Sequence, residues 1–212
     1  MTINEIRKSL LIVVPTLNSY LILPKLIDSI KNQHFENWEL LFVDGNSSLE
    51  HRSWLINFCK LDSRFNYLVQ PPHEKGIYGA MNVGFKYVKP YQWLLFWGSD
   101  DWAADSYAFN KAMDSIKNFN DSGCFPDLLI CDARYFSNDM KSKRISSFRS
   151  ASSFRRSLFL GKTPPHQGTF FGPKVREKIL FFSDKYTLAA DLDYFLKVSR
   201  YSNLIIKTIQ LE

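Results

Sequence analysis

The chain has 212 residues, 45% apolar and 16% aromatic, which is enough for one sizeable core and for one or at most two domains. Its longest unbroken apolar runs, such as Leu10–Val14 and Trp93–Trp97, fall far short of the ~20 residues of a membrane span, so a transmembrane helix is excluded. The formal net charge of +6 fits a phosphate-bearing or anionic partner but is also ordinary for this length.

Residues 1 to 9 carry Glu5, Arg7 and Lys8 and lack the long apolar stretch of a signal peptide, so the chain is expected on the cytoplasmic side. From there the chain alternates short β-rich runs with segments of helical period. Leu10–Val14 precedes Tyr20–Lys31, Glu39–Val43 precedes Leu49–Lys60, Tyr67–Gln70 precedes Gly76–Val88, and Trp93–Trp97 precedes Ser106–Asn118. This alternation predicts an α/β fold with a mostly parallel central sheet flanked by helices. Asn18 or Ser19 can cap the first helix and Ser47 or Ser48 the second. In the third, Ile77, Met81, Phe85 and Val88 mark a core face, leaving Asn82 and Lys86 opposite. After a strand at Leu128–Asp132, residues 137 to 165 are rich in Ser, Lys and Arg and read as a loop or irregular excursion. Order returns with a strand at Thr169–Gly172, a helix over Lys174–Phe182 opened by Pro173, a final helix from about Ala190 to Tyr201, and a strand-like Leu204–Ile209. Cys59, Cys124 and Cys131 are odd in number and unpaired by spacing, so they are expected as reduced, buried packing residues.

In open parallel sheets ligands gather outside the carboxyl ends of the strands. Three strands here end in polar groups: Pro15-Thr16-Leu17-Asn18, Asp44-Gly45-Asn46-Ser47 and Gly98-Ser99-Asp100-Asp101. No two glycines stand in a G-x-G arrangement and none opens a P-loop, so a glycine-rich phosphate cradle is absent. Any diphosphate would be met by a metal and by Lys or Arg. Asp100 and Asp101 offer the hard oxygens that Mg²⁺ or Mn²⁺ prefers.

These pieces bring out a resemblance. In order, IVVPTLNSY (Ile12–Tyr20), LLFVDGNSS (Leu40–Ser48), EKGIYGAMNVG (Glu74–Gly84), FWGSDDW (Phe96–Trp102), HQGTFF (His166–Phe171) and AADLDYFLK (Ala189–Lys197) resemble an inverting family 2 glycosyltransferase of the GT-A fold, of the kind that builds bacterial O-antigen, capsule and exopolysaccharide. The resemblance spans nearly the whole chain. It implies a single GT-A domain over 1–212, with a Rossmann-like nucleotide-sugar part at about 1–103 and an acceptor-binding, base-bearing part at about 104–210. It further implies that Pro15, Thr16 and Asn18 frame the nucleotide, that Asp44 accepts a hydrogen bond from the base, and that Lys75, Gly76 and Asn82 lie along the donor. Ser99-Asp100-Asp101 stands for the family's D-x-D, with Asp101 the metal ligand and Asp100 nearer the ribose or sugar. His166 and Gln167 fall beside the sugar, acceptor and diphosphate, and Asp191 falls on the catalytic base. The implied donor is a UDP-sugar, the cofactor Mn²⁺ or Mg²⁺, and the acceptor a saccharide, free or carried on a polyprenyl diphosphate; no nucleic acid is implied. Three positions depart from the family pattern: Gly79 where Asp is common, Ala190 where many members carry Glu, and Lys197 where Arg is frequent.

Such chemistry needs a cation to neutralise the leaving diphosphate and a carboxylate to take the acceptor's proton. Asp193, two residues beyond Asp191 on a helix start, points ~200° away and cannot serve the same atom, so it is assigned as an N-terminal helix charge. Trp97, Trp102 and Tyr78 are read as core or rim aromatics. The stretch 141–162, with Lys141, Lys143, Arg144, Arg149, Arg155, Arg156 and Lys162 among Phe148, Phe154, Leu158 and Phe159, reads either as a solvated loop or as a segment that meets anionic headgroups at the inner face of the plasma membrane. Two other classes remain: a nucleotide-sugar-binding protein without turnover, and a phosphohydrolase suggested by Asp191-Leu192-Asp193, a motif misplaced here near the C-terminus.

Overall fold

The computed structural model describes residues 8–137, 142–146 and 151–210. The first half repeats one unit four times: β1 (Leu10–Thr16) and α1 (Leu23–Lys31), β2 (Trp38–Asp44) and α2 (Leu49–Cys59), β3 (Phe65–Val69) and α3 (Gly76–Tyr87), β4 (Trp93–Phe96) and α4 (Ala108–Asp121). There follow β5 (Leu128–Cys131), a hairpin of β6 (Ala133–Phe136) and β7 (Ser142–Ser146), α5 (Ala151–Phe159), a 3₁₀ turn at His166–Gly168, β8 (Thr169–Phe171), α6 (Pro173–Lys178), α7 (Ala190–Ser199) and β9 (Ile206–Ile209). Seven strands form one sheet in the order β3-β2-β1-β4-β8-β5-β9. β3, β2, β1 and β4 are parallel, β8 runs antiparallel between β4 and β5, and β9 is parallel to β5.

Leu10 to Val14 are wholly buried because helices cover both faces of the sheet, which is why these strands read as continuous apolar runs. Alternate residues feed two cores. Leu11, Val13, Leu41, Val43, Leu94 and Phe96 pack under α3 and α7, and Leu10, Ile12, Val14, Leu40, Phe42 and Leu95 pack with α1, α2 and α4. Each such side chain contributes about 1.5–3 kcal/mol over exposure. Gly84 lets α3 sit directly on the sheet, since a Cβ there would come 2.7 Å from Val13 Cγ2.

Several expectations are corrected. The segment 137–165 is not wholly irregular: α5 forms because Phe154 and Leu158, one turn apart, bury against the core that holds Phe195 and Val198. Those two aromatic and aliphatic residues are therefore core, whereas Phe159 and Leu160 are exposed beside Arg155, Arg156 and Lys162. Lys141, Phe148 and Arg149 lie outside the described residues. The first helix begins at Leu23, with Ile22 at its N-cap and no side-chain cap, because Asn18 turns into the left-handed region at φ 50° and residues 19–22 form a turn. Ser48 does cap α2, accepting from His51 N at 3.3 Å. α3 is rotated relative to its expected face: Ile77 is exposed and Asn82 is buried. Cys59 and Cys124 are only half-buried; all three cysteines are free.

Candidate active site

β1 and β2 are neighbours in register, so Thr16 stands opposite Asp44 at the carboxyl edge of the sheet. The loops that leave them are tied together. Gly45 N donates to Thr16 O (2.8 Å), Asn18 N donates to Ser47 Oγ (2.9 Å), and Ser48 N donates to Asn18 Oδ1 (2.9 Å). Asp44 is completely buried. Its Oδ2 accepts from Ser47 N (3.0 Å), and its Oδ1 faces the hydroxyls of Ser47 and Thr16 and, at 3.4 Å, His51 Nε2. His51 is equally buried and accepts Tyr20 N on Nδ1 (3.1 Å), which assigns its proton to Nε2, toward Asp44. Burial holds the His51 pKa below the ordinary value, against the opposing pull of Asp44. Asp44→Ala would strand three buried donors, Ser47 N–H and the Ser47 and Thr16 hydroxyls. At about 1–3 kcal/mol per unsatisfied donor, a loss of about 3 kcal/mol or more in urea unfolding is expected. Parental stability in that variant would show that these bonds contribute nothing.

β4 ends one residue before Trp97. Ser99 Oγ donates to Pro15 O (2.9 Å) and accepts from Ser19 Oγ (2.9 Å), so the loop after β4 is pinned to the loop after β1. Asp100 and Asp101 fold over Gly98: a Cβ on that glycine would meet Asp100 Oδ1 at 2.8 Å and Asp101 Oδ2 at 3.2 Å. Gly98 N donates to Asp101 Oδ2 at 2.6 Å. Burial, helped by the charge of Asp100, pushes the Asp101 pKa up to about 6 despite that bond. Among the described residues no Lys or Arg pairs with either carboxylate, and no cluster of three or more His, Cys, Asp or Glu occurs. Two converging carboxylates without a counter-charge fit a hard divalent cation whose other positions come from phosphate and water.

The third group stands on α7. Its N-cap is Ala189, so Asp191 is not the cap. Asp191 Oδ1 accepts from Leu192 N (2.8 Å) and from the Tyr78 hydroxyl (3.2 Å), whose single proton goes to this charged oxygen rather than to the more distant Leu188 O at 3.4 Å. Burial first, and the Asp191 charge second, push the Tyr78 phenol up to about 12. His166 feels the same carboxylate, although its burial outweighs that and keeps its pKa low. Asp193 instead pairs with Lys197 at 2.6 Å, one turn along the helix. The two halves of the site are linked through the 166–168 turn, where Trp97 Nε1, just ahead of the Asp pair, donates to Gln167 O at 2.9 Å.

The structure thus gathers Pro15, Thr16, Asn18, Asp44, Ser99, Asp100 and Asp101 at the ends of β1, β2 and β4, and leaves His166 within electrostatic reach of Asp191. Lys75 and Gly76 open α3 in exposed positions. Asn82 sits apart from them: its amide donates to Phe182 O (3.1 Å) and accepts from Phe182 N (2.8 Å), deep in the core. Gly79 has a steric reason, because a Cβ there would lie 2.7 Å from the Glu74 carbonyl carbon and 2.9 Å from Gln70 Nε2. Sequence reasoning missed His51, which no pattern marked, and the contact of Tyr78 with Asp191. The i, i+4 spacing of Tyr78 and Asn82 was the one available signal for the latter.

The sequence profile of Glycosyl transferase family 2 matches residues 11–178. A PGL/p-HBAD biosynthesis glycosyltransferase of Mycobacterium bovis is 27% identical over 203 residues, covering 92% of this chain and 74% of the relative. The glucosyltransferase WfgD of Escherichia coli, named as acting from UDP-Glc on alpha-D-GlcNAc-diphosphoundecaprenol, is 33% identical over 108 residues, 50% of this chain and 41% of WfgD. Staphylococcus aureus TarS 1-349 in complex with UDP-GlcNAc superposes with a TM-score of 0.71 at 18% identity, covering 96% of this chain and 59% of the solved one. The fold likeness places the sheet and helices described above in the GT-A architecture of TarS. With the profile match running from β1 through α6, the chain belongs to glycosyl transferase family 2.

Proposed function

We propose that the chain moves a sugar from a UDP-sugar to a hydroxyl of a saccharide acceptor, carried on a polyprenyl diphosphate, with inversion at the anomeric carbon. The observation that carries this reading is the presence of two differently held carboxylate sites. The Asp100–Asp101 pair lacks a counter-charge among the described residues, and the Asp191 carboxylate has one oxygen held by protein donors and acts on His166, in the turn whose Gln167 carbonyl accepts from Trp97.

In this reading residues 1–103 hold the donor and residues 104–210 present the acceptor and the base. Thr16, Asn18 and the loop organised by Asp44 frame the uridine, with Pro15 and Ser99 setting the distance between the strand ends. Asp101, with Asp100 beside it, would hold Mn²⁺ or Mg²⁺. Such a cation supplies the positive charge that the departing diphosphate needs. The cavity of ≈ 180 Å³ lined by Asp101, Trp102, Asp132, Arg134, Phe136 and Gln167 takes a sugar ring. Among the described residues Gln167 Oε1 is buried there without a partner, ready to accept from a sugar hydroxyl. Asp191 takes the acceptor proton as the new C–O bond forms and the bond to the diphosphate breaks.

Among the described residues no helix is long and apolar enough to cross a membrane. Contact with a lipid-linked acceptor at the inner face of the membrane falls to the basic, partly apolar surface of α5, where Phe159 and Leu160 stand exposed next to Arg155, Arg156 and Lys162. Support for the donor and acceptor classes comes from the family and from the printed activities of WfgD and the TarS complex.

A thermal-shift panel of UDP, GDP and dTDP with and without MnCl₂ tests the donor half. UDP at about 100 times its Kd should add about 2.7 kcal/mol of apparent stability, and only with Mn²⁺ present. Equal shifts without metal, or none with any nucleotide, would overturn the reading.

A further inference from the structure

α3 grips the base-bearing segment at two points on one helical face. Asn82 holds the backbone of Phe182 through both atoms of its amide, and Tyr78, one turn earlier, donates its hydroxyl proton to Asp191 Oδ1. The Tyr78 and Phe182 rings lie 5.3 Å apart, so the segment is also packed between these two bonds. These partners lie a hundred residues or more further along the chain, and the N-cap of α7, Ala189, offers no side-chain cap. The position of the α7 start therefore depends on α3.

The hydrogen bonds to Asp191 are not shared between its oxygens. Leu192 N–H and the Tyr78 O–H both go to Oδ1, and no protein donor reaches Oδ2 among the described residues. An oxygen that already accepts two hydrogen bonds is a poor proton acceptor, and its twin in the same carboxylate is left as the reactive atom. Around this carboxylate the titratable groups are Tyr78 from α3, His166 from the 166–168 turn, and the internally paired Asp193 and Lys197 of its own helix.

We infer that Tyr78 is a positioning residue for the transfer reaction: by occupying Asp191 Oδ1 it fixes the carboxylate plane and selects Oδ2 as the atom that takes the acceptor proton. This rests on the reading of Asp191 as the base. Asn82 sets where the segment lies, and Tyr78 sets how the carboxylate is turned. Tyr78 touches neither reacting atom and acts only through Asp191.

The test uses the 212-residue chain and follows UDP release from UDP-glucose and UDP-N-acetylglucosamine with MnCl₂, water serving as acceptor, in Tyr78→Phe, Asp191→Asn and the double variant. Tyr78→Phe keeps the ring packing against Phe182 and removes only the hydroxyl. Its kcat should fall roughly 10- to 100-fold, the cost of a slightly misplaced base, with donor KM and melting temperature near parental. In the Asp191→Asn background the same change should cause no further loss, because the residue it acts through no longer takes a proton. A parental kcat for Tyr78→Phe, or losses that multiply in the double variant, overturns the inference and leaves the base intact. A near-parental Asp191→Asn instead removes the base reading, and the inference with it. If neither donor is hydrolysed by the parent, crystal structures of the parent and Tyr78→Phe decide: a carboxylate turned away from its parental plane supports the inference, and an unmoved one overturns it.

Discussion

Asp191→Asn is expected to fold and bind UDP and Mn²⁺ as the parent does while its transfer rate collapses. The amide oxygen of Asn can accept from both Leu192 N–H and Tyr78, so the local geometry survives the exchange. What is lost is the capacity to take a proton, and removing a general base costs on the order of 10²–10⁴ in rate. A helix-capping role would give the opposite result, since Asn caps as well as Asp, but the cap position here belongs to Ala189. The control is Asp193→Asn, which breaks only the i, i+4 pair with Lys197 and should cost about 0.3–0.5 kcal/mol of stability with most activity intact. Single-turnover transfer to the true acceptor measures both variants. A deeper loss at Asp193 than at Asp191 would move the base elsewhere.

Asp101→Asn should separate metal-dependent binding from stability. The amide keeps the bond from Gly98 N but loses the charge that complements a cation. Removing one partner of a buried charge pair costs about 3 kcal/mol or more, so Mn²⁺-dependent UDP affinity should fall by about 10²-fold or more. The metal-free protein should respond in the other direction. Burial raises the Asp101 pKa from the ordinary 3.8 to about 6, so the folded state holds this proton more tightly than the unfolded one. For an acid shifted upward, ionisation in the folded state is a cost, absent below about pH 4 and complete above about pH 6. The Asn variant escapes it and should melt higher at pH 7.5 without metal. The gain has an upper bound of about 3 kcal/mol, lowered by the water that reaches this half-buried group, and should vanish toward pH 4. Unchanged Mn²⁺-dependent affinity would reject Asp101 as the metal ligand, and equal metal-free stability across that pH range would show that its carboxylate bears no burial cost.

The order of strands and helices was legible in the chain itself, because a parallel strand buried on both faces must be apolar throughout and its helix must show a 3.6-residue stripe. Leu10–Val14, Glu39–Val43 and Trp93–Trp97 announced three central strands, and the polar residues after them announced an edge where ligands gather. Six family motifs in order pointed to the chemistry. Local pattern failed where burial depends on distant partners. Phe154 and Leu158 sit in a stretch too basic to look helical, and only the core around Phe195 and Val198 makes a helix there. Asn82 looked like a solvent-facing or donor-binding residue, yet it is buried because Phe182, a hundred residues away, supplies both a donor and an acceptor to its amide. Asp44 read as an open acceptor and is enclosed by Ser47, Thr16 and His51 once β1, β2 and α2 close on one another. Tyr78 was indistinguishable from any amphipathic-helix aromatic until α7 brought Asp191 against its hydroxyl. Periodicity and strand-end chemistry are properties of neighbours in sequence, so the chain by itself determined the fold class and the kind of site. Which oxygen is free, which carboxylate lacks a counter-charge and which polar group is sealed in the core depend on segments that meet only on folding, and the tertiary structure alone decided them.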